Sequence, residues 1–313
     1  MDKKLISFVV PCYKEEENIP HTYQELVELA KTLTNYDYEI IFVDNGSPDK
    51  SQEIMRELAA KDAKFIPIFL SRNFGPETTI LAGQQHARGD AVVFVEADLQ
   101  DPVELIPEFI KKWEEGYDIV LGQRNSSDEK GLLFPIRKLF YKILHSVSYI
   151  DIPINVGTFS LITKQVNEAM NALPEKNRFG RGIRAWVGFK SYLIQYHRHE
   201  RKRGKSYYNL SHLLKHAEKG LIGFSTLPLE MLTYLGLAMV LLAVFVIVFY
   251  FIRFLVYGNP FIGFSTIVMM IAFFSGIQIM AISIVGKYIA VIFEETKNRP
   301  QYIVKEIINY DRK

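Results

Sequence analysis

The sequence has a single cysteine, Cys12, among its 313 residues, and it lacks the glycine-rich loops that many nucleotide-binding proteins use. One cysteine excludes an internal disulfide framework and a cysteine-rich zinc site, which fits a reducing cytoplasm. Neither G-x-G-x-x-G after the first apolar run nor G-x-x-x-x-G-K-S/T is present, and this disfavours dinucleotide oxidoreductases and P-loop NTPases. The run Leu5 to Val10 ends at Pro11 before a group of acids, so it predicts a strand and not a secretory signal.

Charge is missing from two long stretches late in the chain, Met231 to Ile252 and Asn259 to Gly286. Each stretch is long enough to cross the hydrocarbon core of a bilayer and is uncharged on all sides, so we predict two transmembrane helices. A pair of buried core helices is the alternative. Basic residues flank the two stretches and are sparse between them, which by the positive-inside rule predicts an inner-membrane protein with both termini in the cytoplasm.

The first half of the chain alternates short apolar runs with amphipathic segments, as βαβ units do. Strands are predicted at Leu5 to Val10, Tyr38 to Val43, Phe65 to Leu70, Ala91 to Val95 and Ile119 to Leu121, with helices between them. This order predicts an α/β fold with a mostly parallel sheet and helices on both faces. Ligands of such sheets bind where the strands end.

Acidic side chains follow the fourth predicted strand in the segment AVVFVEADLQDP, at Glu96, Asp98 and Asp101. Glu96 and Asp98 lie two residues apart and can project to the same side of an extended chain. Hard carboxylate oxygens suit Mg²⁺ or Mn²⁺, ions that commonly hold substrate phosphates, so we predict a divalent metal site here. The alternative is that Asp98 or Asp101 caps the next helix, because Pro102 follows directly.

The other predicted strands also end in polar or turn-forming residues, which are Pro11, Tyr13, Glu15, Asp44, Ser71 and Arg72. Four such ends in succession favour a nucleotide site along one edge of the sheet. Asp44 is predicted to accept hydrogen bonds from a base or a ribose. The alternative for Asp44 is a plain turn, for which the following Asn45-Gly46 is good chemistry.

Taken together, these motifs resemble the family 2 glycosyltransferases of the GT-A fold, and more closely the polyisoprenyl-phosphate glycosyltransferases. The resemblance covers nearly the whole chain, through segments such as VVPCYKEEENI, EIIFVDNGSPD, ARGDAVVFVEADLQDP, RHERKRGKSYY and FEETKNRPQYIV. It implies inverting transfer of one sugar from a nucleotide sugar to undecaprenyl or dolichyl phosphate. UDP-glucose is the first choice of donor, and UDP-N-acetylglucosamine and GDP-mannose stay open.

Carried over position by position, the resemblance implies roles for individual residues. Nucleotide binding is implied for Pro11, Tyr13, Glu15, Asp44 and Ser71, and metal binding for Glu96, Asp98 and Gln100. Catalytic roles are implied for Asp98, Arg124, Thr158, Arg198 and Arg201, and acceptor binding for Arg178, Arg181, Trp186, Arg201 and Ser206. Arginine suits phosphate because its planar donors fit two phosphate oxygens at once.

The sequence departs from the family pattern at three places. Asp44-Asn45 stands where the family usually has two aspartates, and Glu96-Ala97-Asp98 stands where it has Asp-Ala-Asp. The family segment D-x-G-D-F-R-L reads NVGTFSL here, so Thr158 replaces an acid proposed as a base. A lipid phosphate is mostly dianionic near neutral pH and is a nucleophile without a base. We therefore expect Asp98 to be indispensable and Thr158 not.

The resemblance and the charge pattern together predict the domain organisation. It comprises a cytoplasmic glycosyltransferase domain (1–209), juxtamembrane amphipathic helices (210–230), a transmembrane hairpin (231–293) and a cytoplasmic tail (294–313). The amphipathic segment is expected to lie in the membrane interface, in contact with membrane lipid, with a soluble packing helix as the alternative. Nucleic-acid binding is not expected, since the basic cluster adjoins the membrane.

Ala272, Gly276 and Gln278 can join helices, so a homo-oligomer is expected, and the resemblance implies a tetramer. Lipid-facing placement of these residues is the alternative. A flippase and a downstream transferase are implied if the sugar reaches the outer face. Two other functions compete: a processive polysaccharide synthase, disfavoured because Q-x-x-R-W is missing, and a non-catalytic nucleotide-sugar sensor.

Overall fold

The computed structural model describes residues 3–125, 153, 155–176, 178–199, 227–257 and 263–310. The chain divides into two compact units, Met1–Lys219 with Arg299–Lys313, and Gly220–Asn298. The strands are β1 Lys4–Cys12, β2 Tyr36–Asp44, β3 Phe65–Leu70, β4 Ala91–Phe94, β5 Ile119–Arg124, β6 Val156–Thr163, β7 Ser191–Tyr196 and β8 Val304–Ile307. The helices are α1 Ile19–Thr32, α2 Ser51–Ala59, α3 Pro76–His86, α4 Ile106–Glu114, α5 Lys164–Ala172, α6 Gly180–Trp186, α7 Leu227–Tyr257 and α8 Phe264–Thr296.

The eight described strands of the first unit form one mixed sheet in the order β7-β5-β6-β4-β1-β2-β3-β8. The strands β4, β1, β2 and β3 are parallel, as the alternation of strands and helices predicted. The margins differ from a parallel sheet, because β6 runs antiparallel to both β4 and β5 and β8 runs antiparallel to β3. Because β6 is antiparallel to both β4 and β5, and β5 is parallel to β7, the strands β4, β5 and β7 point the same way. Their carboxyl ends meet at one edge of the sheet.

Helices cover both faces of this sheet, which is why the central strands read as continuous apolar runs. On one face α1, α2 and α4 bury a core that includes Phe8, Phe42, Phe65 and Phe109, all with 0 % exposure. On the other face α3 packs on β1 and β2, while α5 and α6 pack on β6. The strand ends therefore project from a rigid, fully packed layer.

The segment after α8 returns to the first unit as the edge strand β8, whereas the sequence indicated only a tail. Val304 pairs with Leu70 of β3 in the antiparallel register. Glu306 accepts from Arg56 at 2.7 Å, and the amide of Asn309 donates to the carbonyls of Ala59 and Phe65 at 2.8 and 3.0 Å. A fully buried apolar strand such as β3 needs its open edge covered, and β8 does this.

The second unit contains the two long helices α7 and α8. Their most apolar stretches, Leu229–Val246 and Phe273–Thr296, have mean hydropathies of 2.2 and 1.9, and 0 % of either stretch is buried. Large apolar side chains stay exposed, for example Leu241 at 63 % and Ile282 at 71 %. Both helices are long and apolar enough to cross a membrane, and their exposure argues against the alternative of buried core helices. The amphipathic segment predicted within 210–230 lies mostly outside the described residues.

Candidate active site

Three strand ends bring charged residues together at one edge of the sheet. Glu96, Asp98 and Asp101 follow β4, Arg124 is the last residue of β5, and Arg198 lies just beyond β7. β4 and β5 follow one another along the chain, but β6 separates them in the sheet. The shared direction of β4, β5 and β7 places their carboxyl ends side by side, which is the usual ligand position in α/β sheets.

Glu96, Asp101, Arg124 and Arg198 form a carboxylate–arginine cluster. The Arg198 Nη2 lies 2.9 Å from the Glu96 Oε2 and its Nε lies 3.9 Å from the Asp101 Oδ1. The Arg124 Nη2 lies 3.6 Å from both the Glu96 Oε1 and the Asp101 Oδ1. Each guanidinium is thus shared between two carboxylates, so the cluster fixes the orientation of both arginines.

Asp101 is the most deeply buried member of the cluster, with 1 % exposure. Burial, followed by the nearby charge of Glu96, raises the pKa of Asp101 to about 6, although Arg124, Tyr196 and Arg198 oppose the shift. Tyr196 donates a hydrogen bond to the Asp101 Oδ1, while the Asp101 Oδ2 has no hydrogen-bond partner in the described chain. The helix-cap alternative for Asp101 is wrong, because Pro102 occupies the cap position without any side-chain cap bond.

The electrostatics of Arg124 depend on the same cluster. Burial lowers the pKa of Arg124, but the carboxylates of Asp101 and Glu96 outweigh burial and raise this pKa above its ordinary value. Its Nε also donates to the Tyr196 hydroxyl at 3.2 Å. Arg124 therefore keeps its charge while only 21 % of its side chain is exposed.

Asp98 and Gln100 lie half-buried in the loop that leaves β4. The Gln100 N–H donates to the Asp98 Oδ1 at 3.2 Å, and the Gln100 carbonyl accepts from the His199 N–H at 2.9 Å. Leu99 between them has a φ of 54°, a left-handed conformation that turns the loop sharply. The loop is thus tied to the segment after β7, close to Arg198.

A divalent metal such as Mg²⁺ needs oxygen ligands from the protein, its substrate or water. Within the described ranges, no three His, Cys, Asp or Glu side chains gather into a metal cage. Mg²⁺ often uses only one or two protein oxygens and completes its shell with water and substrate phosphates. Asp98 and Gln100 can supply two such oxygens, whereas Glu96 is held by Arg198 and Arg124. We therefore assign Glu96 to orienting the arginines, and the donor set of Asp98 and Gln100 fits a metal.

Asp44 lies at the same edge, at the end of β2, and is completely buried. Its carboxylate accepts from the Ser47 N–H at 3.1 Å and from the Gln52 amide at 2.7 Å. Gly46 in this turn has a φ of 68°, and a Cβ there would lie 2.6 Å from the Arg72 backbone. These contacts favour the turn alternative for Asp44, and its nucleotide role stays a prediction.

The remaining predicted nucleotide residues follow the ends of β1 and β3. Pro11 is opposite Val43 in the ladder, and the Tyr13 ring lies 5.5 Å from the Lys14 Nζ. The Glu15 carboxylate accepts from the Asn18 amide at 2.6 Å, and its backbone carbonyl accepts the first amides of α1. Ser71 is exposed, and its N–H donates to the Ile303 carbonyl at 2.9 Å. The structure brings all of them to one edge, as predicted.

The described members of the predicted acceptor site do not lie together in one place. Arg178 is buried and donates to the carbonyls of Met170 and Leu173 at 2.8 and 3.0 Å, at the carboxyl end of α5. We therefore assign Arg178 to closing that helix rather than to an acceptor. Arg181 lines a cavity beside α6, and Trp186 at the end of α6 is 48 % exposed. Arg201 and Ser206 lie outside the described residues.

Thr158 lies near the start of β6, so it approaches the same edge as the cluster, and its carbonyl accepts from the Ser160 hydroxyl at 2.8 Å. Sequence reasoning missed Tyr196 and Arg184, and it left a helix cap open as the alternative for Asp101. The position of Tyr196 at a strand end was the one available signal, because the others depend on which segments pack together.

Comparison with known proteins decides the family. The profile of Glycosyl transferase family 2 matches residues 7–170. The SfII prophage-derived bactoprenol glucosyl transferase of Shigella flexneri is 40% identical over 302 residues, 96% of this chain and 97% of that protein. This chain belongs to glycosyl transferase family 2. It is a glycosyltransferase, and the predicted α/β fold class and the resemblance to the polyisoprenyl-phosphate branch are confirmed.

Two other proteins are similar to this chain. A prophage bactoprenol glucosyl transferase homolog of Escherichia coli (strain K12) is 38% identical over 303 residues, 96% of this chain and 99% of that protein. Among solved structures, the glucosyl-3-phosphoglycerate synthase of Mycobacterium tuberculosis is 17% identical, covers 70% of this chain and 78% of that chain, and gives a TM-score of 0.45.

Proposed function

We propose that this glycosyltransferase moves one glucose from UDP-glucose to a polyprenyl phosphate, with inversion and with Mg²⁺ or Mn²⁺. The observation that carries the proposal is the pair of arginines, Arg124 and Arg198, held by carboxylates next to the loop of Asp98. Relatives named bactoprenol glucosyl transferases, similar over 96% of this chain, support the acceptor and the sugar. A membrane-bound lipid acceptor also fits α7 and α8, the two helices apolar enough to cross a bilayer.

Asp98 and Gln100 are the residues that would hold the metal, which when bound neutralises the donor diphosphate. Arg124 and Arg198 approach from other strands with their N–H donors fixed by Glu96 and Asp101. Fixed donors stabilise the charge that develops on a leaving diphosphate and need no reorganisation during the reaction. The carboxylate–arginine cluster thus serves the leaving group.

The transfer itself is a single displacement. An oxygen of the acceptor phosphate forms a bond to the anomeric carbon, the bond from that carbon to the diphosphate breaks, and its electron pair leaves with UDP. No proton is transferred, because the phosphate monoester is mostly a dianion above a pKa near 6. This chemistry explains how activity survives with Thr158 where the family has an acid.

The cellular arrangement belongs to the same proposal. The glycosyltransferase domain and both termini would face the cytoplasm from the inner membrane, where nucleotide sugars are made available to lipid acceptors. A homo-oligomer, a tetramer by resemblance, and a flippase with a downstream transferase stay predictions.

Purified full-length protein incubated with undecaprenyl phosphate and UDP-glucose, UDP-N-acetylglucosamine or GDP-mannose tests the function. We expect lipid-linked glucose from UDP-glucose, and loss of product when EDTA replaces Mg²⁺ or Mn²⁺. Undecaprenol without phosphate is the matched acceptor control. Product from another donor alone would replace glucose in the proposal, and donor hydrolysis without lipid product would exclude the acceptor.

A further inference from the structure

The guanidinium of Arg124 makes one hydrogen bond in the described part of the chain, and its acceptor is the Tyr196 hydroxyl. The Arg124 Nε donates to this hydroxyl at 3.2 Å. The Arg124 Nη2 lies 3.6 Å from the carboxylates of Glu96 and Asp101, which is an ion-pair distance beyond hydrogen-bond length. The ion pairs keep the charge of Arg124 in the cluster, and the bond to Nε sets the direction of its plane. Tyr196 therefore completes the orientation of Arg124.

The Tyr196 side chain is itself fixed at both ends. It lies directly opposite Arg124 in the parallel ladder of β5 and β7, so the two side chains share a face of the sheet. The residue is buried, and its hydroxyl donates its proton to the Asp101 Oδ1. The lone pairs of this hydroxyl are thus left to accept from Arg124. The ring packs edge-on against Phe159 with the centroids 5.6 Å apart.

Two glycines on neighbouring strands provide the space for this pair of side chains. A Cβ at Gly122 of β5 would lie 2.9 Å from the Tyr196 Cε1 and 2.8 Å from the Phe159 Cδ1. A Cβ at Gly157 of β6 would lie 2.9 Å from the Arg124 Nη2 and 3.4 Å from its Cζ. The Arg124 guanidinium therefore occupies a space between Gly157 and Tyr196, here called the arginine slot, which a side chain at position 157 would enter.

We propose that Gly157 and Tyr196 are positioning residues that hold the Arg124 guanidinium in the orientation that binds the donor diphosphate. The inference rests on the proposed function and adds two residues to it. Because Tyr196 takes up Nε, the terminal nitrogens Nη1 and Nη2 stay available as a pair, and such a pair fits two phosphate oxygens at once. A misplacement of about 1 Å can cost on the order of a hundredfold in rate, so a fixed plane matters to catalysis.

The first experiment perturbs the arginine slot from its two sides. Initial rates are measured for full-length Tyr196→Phe and Gly157→Ala, each alone and combined with Arg124→Lys. Tyr196→Phe removes only the hydroxyl, and Gly157→Ala displaces the guanidinium while leaving Tyr196 and Asp101 bonded. Each single variant should lower kcat about tenfold, with the acceptor KM within about twofold of the wild type. Lysine has no Nε and no planar fork, so in the Arg124→Lys background neither change should add more than about twofold. Tyr192→Phe, the same change nearer the start of β7, is the control and should leave kcat unchanged.

A second measurement needs no turnover. Calorimetry with UDP and Mn²⁺ should show an affinity lowered about tenfold in Tyr196→Phe, Gly157→Ala and Arg124→Lys, and no further loss in the double variants. If Tyr196→Phe does not fold because the buried Asp101 loses its donor, Gly157→Ala and its double variant decide the inference.

Unchanged kcat and UDP affinity in either folded single variant overturns the inference, and so do losses that multiply with those of Arg124→Lys. A wild type that binds UDP and makes no lipid-linked sugar overturns the proposed function instead, and the UDP affinities then still decide the arginine slot. A wild type that does not bind UDP overturns both.

Discussion

Asp44 after β2 and Asp101 after β4 are both buried carboxylates at the same edge of one sheet, with exposures of 0 % and 1 %. The partners of Asp44 are a backbone N–H and the amide of Gln52, whereas Asp101 faces Arg124 and Arg198. Neutral donors close a turn and leave nothing for a ligand to displace. Arginines contributed by other strands form a cluster in which a ligand anion can take the place of a carboxylate. The partners of a buried carboxylate, and not its burial, therefore distinguish a structural role from a functional one.

The strongest test of the functional side of this comparison is Asp98→Ala. We expect formation of lipid-linked sugar to fall by about a thousandfold or more, because the diphosphate loses the stabilisation that a metal at this residue would provide. Asp90→Ala is the matched control, since Asp90 precedes β4 at the opposite edge and its carboxylate accepts from the Leu5 N–H. An Asp98→Ala protein with wild-type activity would remove the basis of the proposed site.

The protonation of Asp101 predicts a pH effect on stability. Its folded pKa of about 6 lies above the ordinary value of 3.8, so the folded state binds the proton more tightly and this contribution is lost as pH rises from about 4 to 6. Asp101→Asn removes the effect while keeping an acceptor for Tyr196. The variant should therefore gain on the wild type by about 3 kcal/mol across this window in chemical unfolding at a series of pH values. A pH-independent difference between the two proteins would contradict the prediction.

Asp44→Asn tests whether the carboxylate of Asp44 serves to stabilise the turn after β2. Loss of charge-assisted bonds from Ser47 and Gln52 should lower the free energy of unfolding by about 1 to 2 kcal/mol, with the donor KM close to wild type. Denaturant unfolding and steady-state kinetics on the same preparation separate the two effects. A raised donor KM with unchanged stability would instead assign Asp44 to the nucleotide.

Thr158→Ala should have the smallest effect, less than about threefold in kcat, because a dianionic acceptor needs no base at this position. Product formation at pH 7.5 measures it. Thr158→Asp is the informative companion, since it restores the acid of the family motif and should likewise leave kcat within about threefold of the wild type. A large loss in Thr158→Ala would restore a chemical role to this side chain.

Much of the fold was predictable from local pattern. The predicted strands Phe65 to Leu70 and Ala91 to Val95 agree with β3 and β4 to within one residue, because buried parallel strands are short apolar runs bounded by polar turns. The antiparallel insertion of β6 was not predictable, since it follows a long segment without a clear pattern and pairs with strands far away in sequence. β8 was not predicted for the same reason, because three of its four residues are half-buried, Lys305 is exposed, and the strand carries two charges.

The candidate site was likewise predictable from the sequence only in part. Asp98 was found because it follows a strand, and strand ends are visible in sequence, whereas Arg124 and Arg198 were implied by the family resemblance. The pairing of Glu96 with two arginines, the helix-closing role of Arg178 and the approach of Arg184 to Ser160 were not, because each depends on side chains from segments that pack only in three dimensions.

The sequence by itself determined the α/β class, the two long apolar helices and the family, since periodicity, uncharged length and motif spacing are local properties of the chain. Only the tertiary structure decided which carboxylates meet arginines and which close turns, and that Arg184 of α6 contacts Ser160 of β6. The physical reason is that charge neutralisation is a property of neighbours in space, and the order of strands in the sheet sets those neighbours.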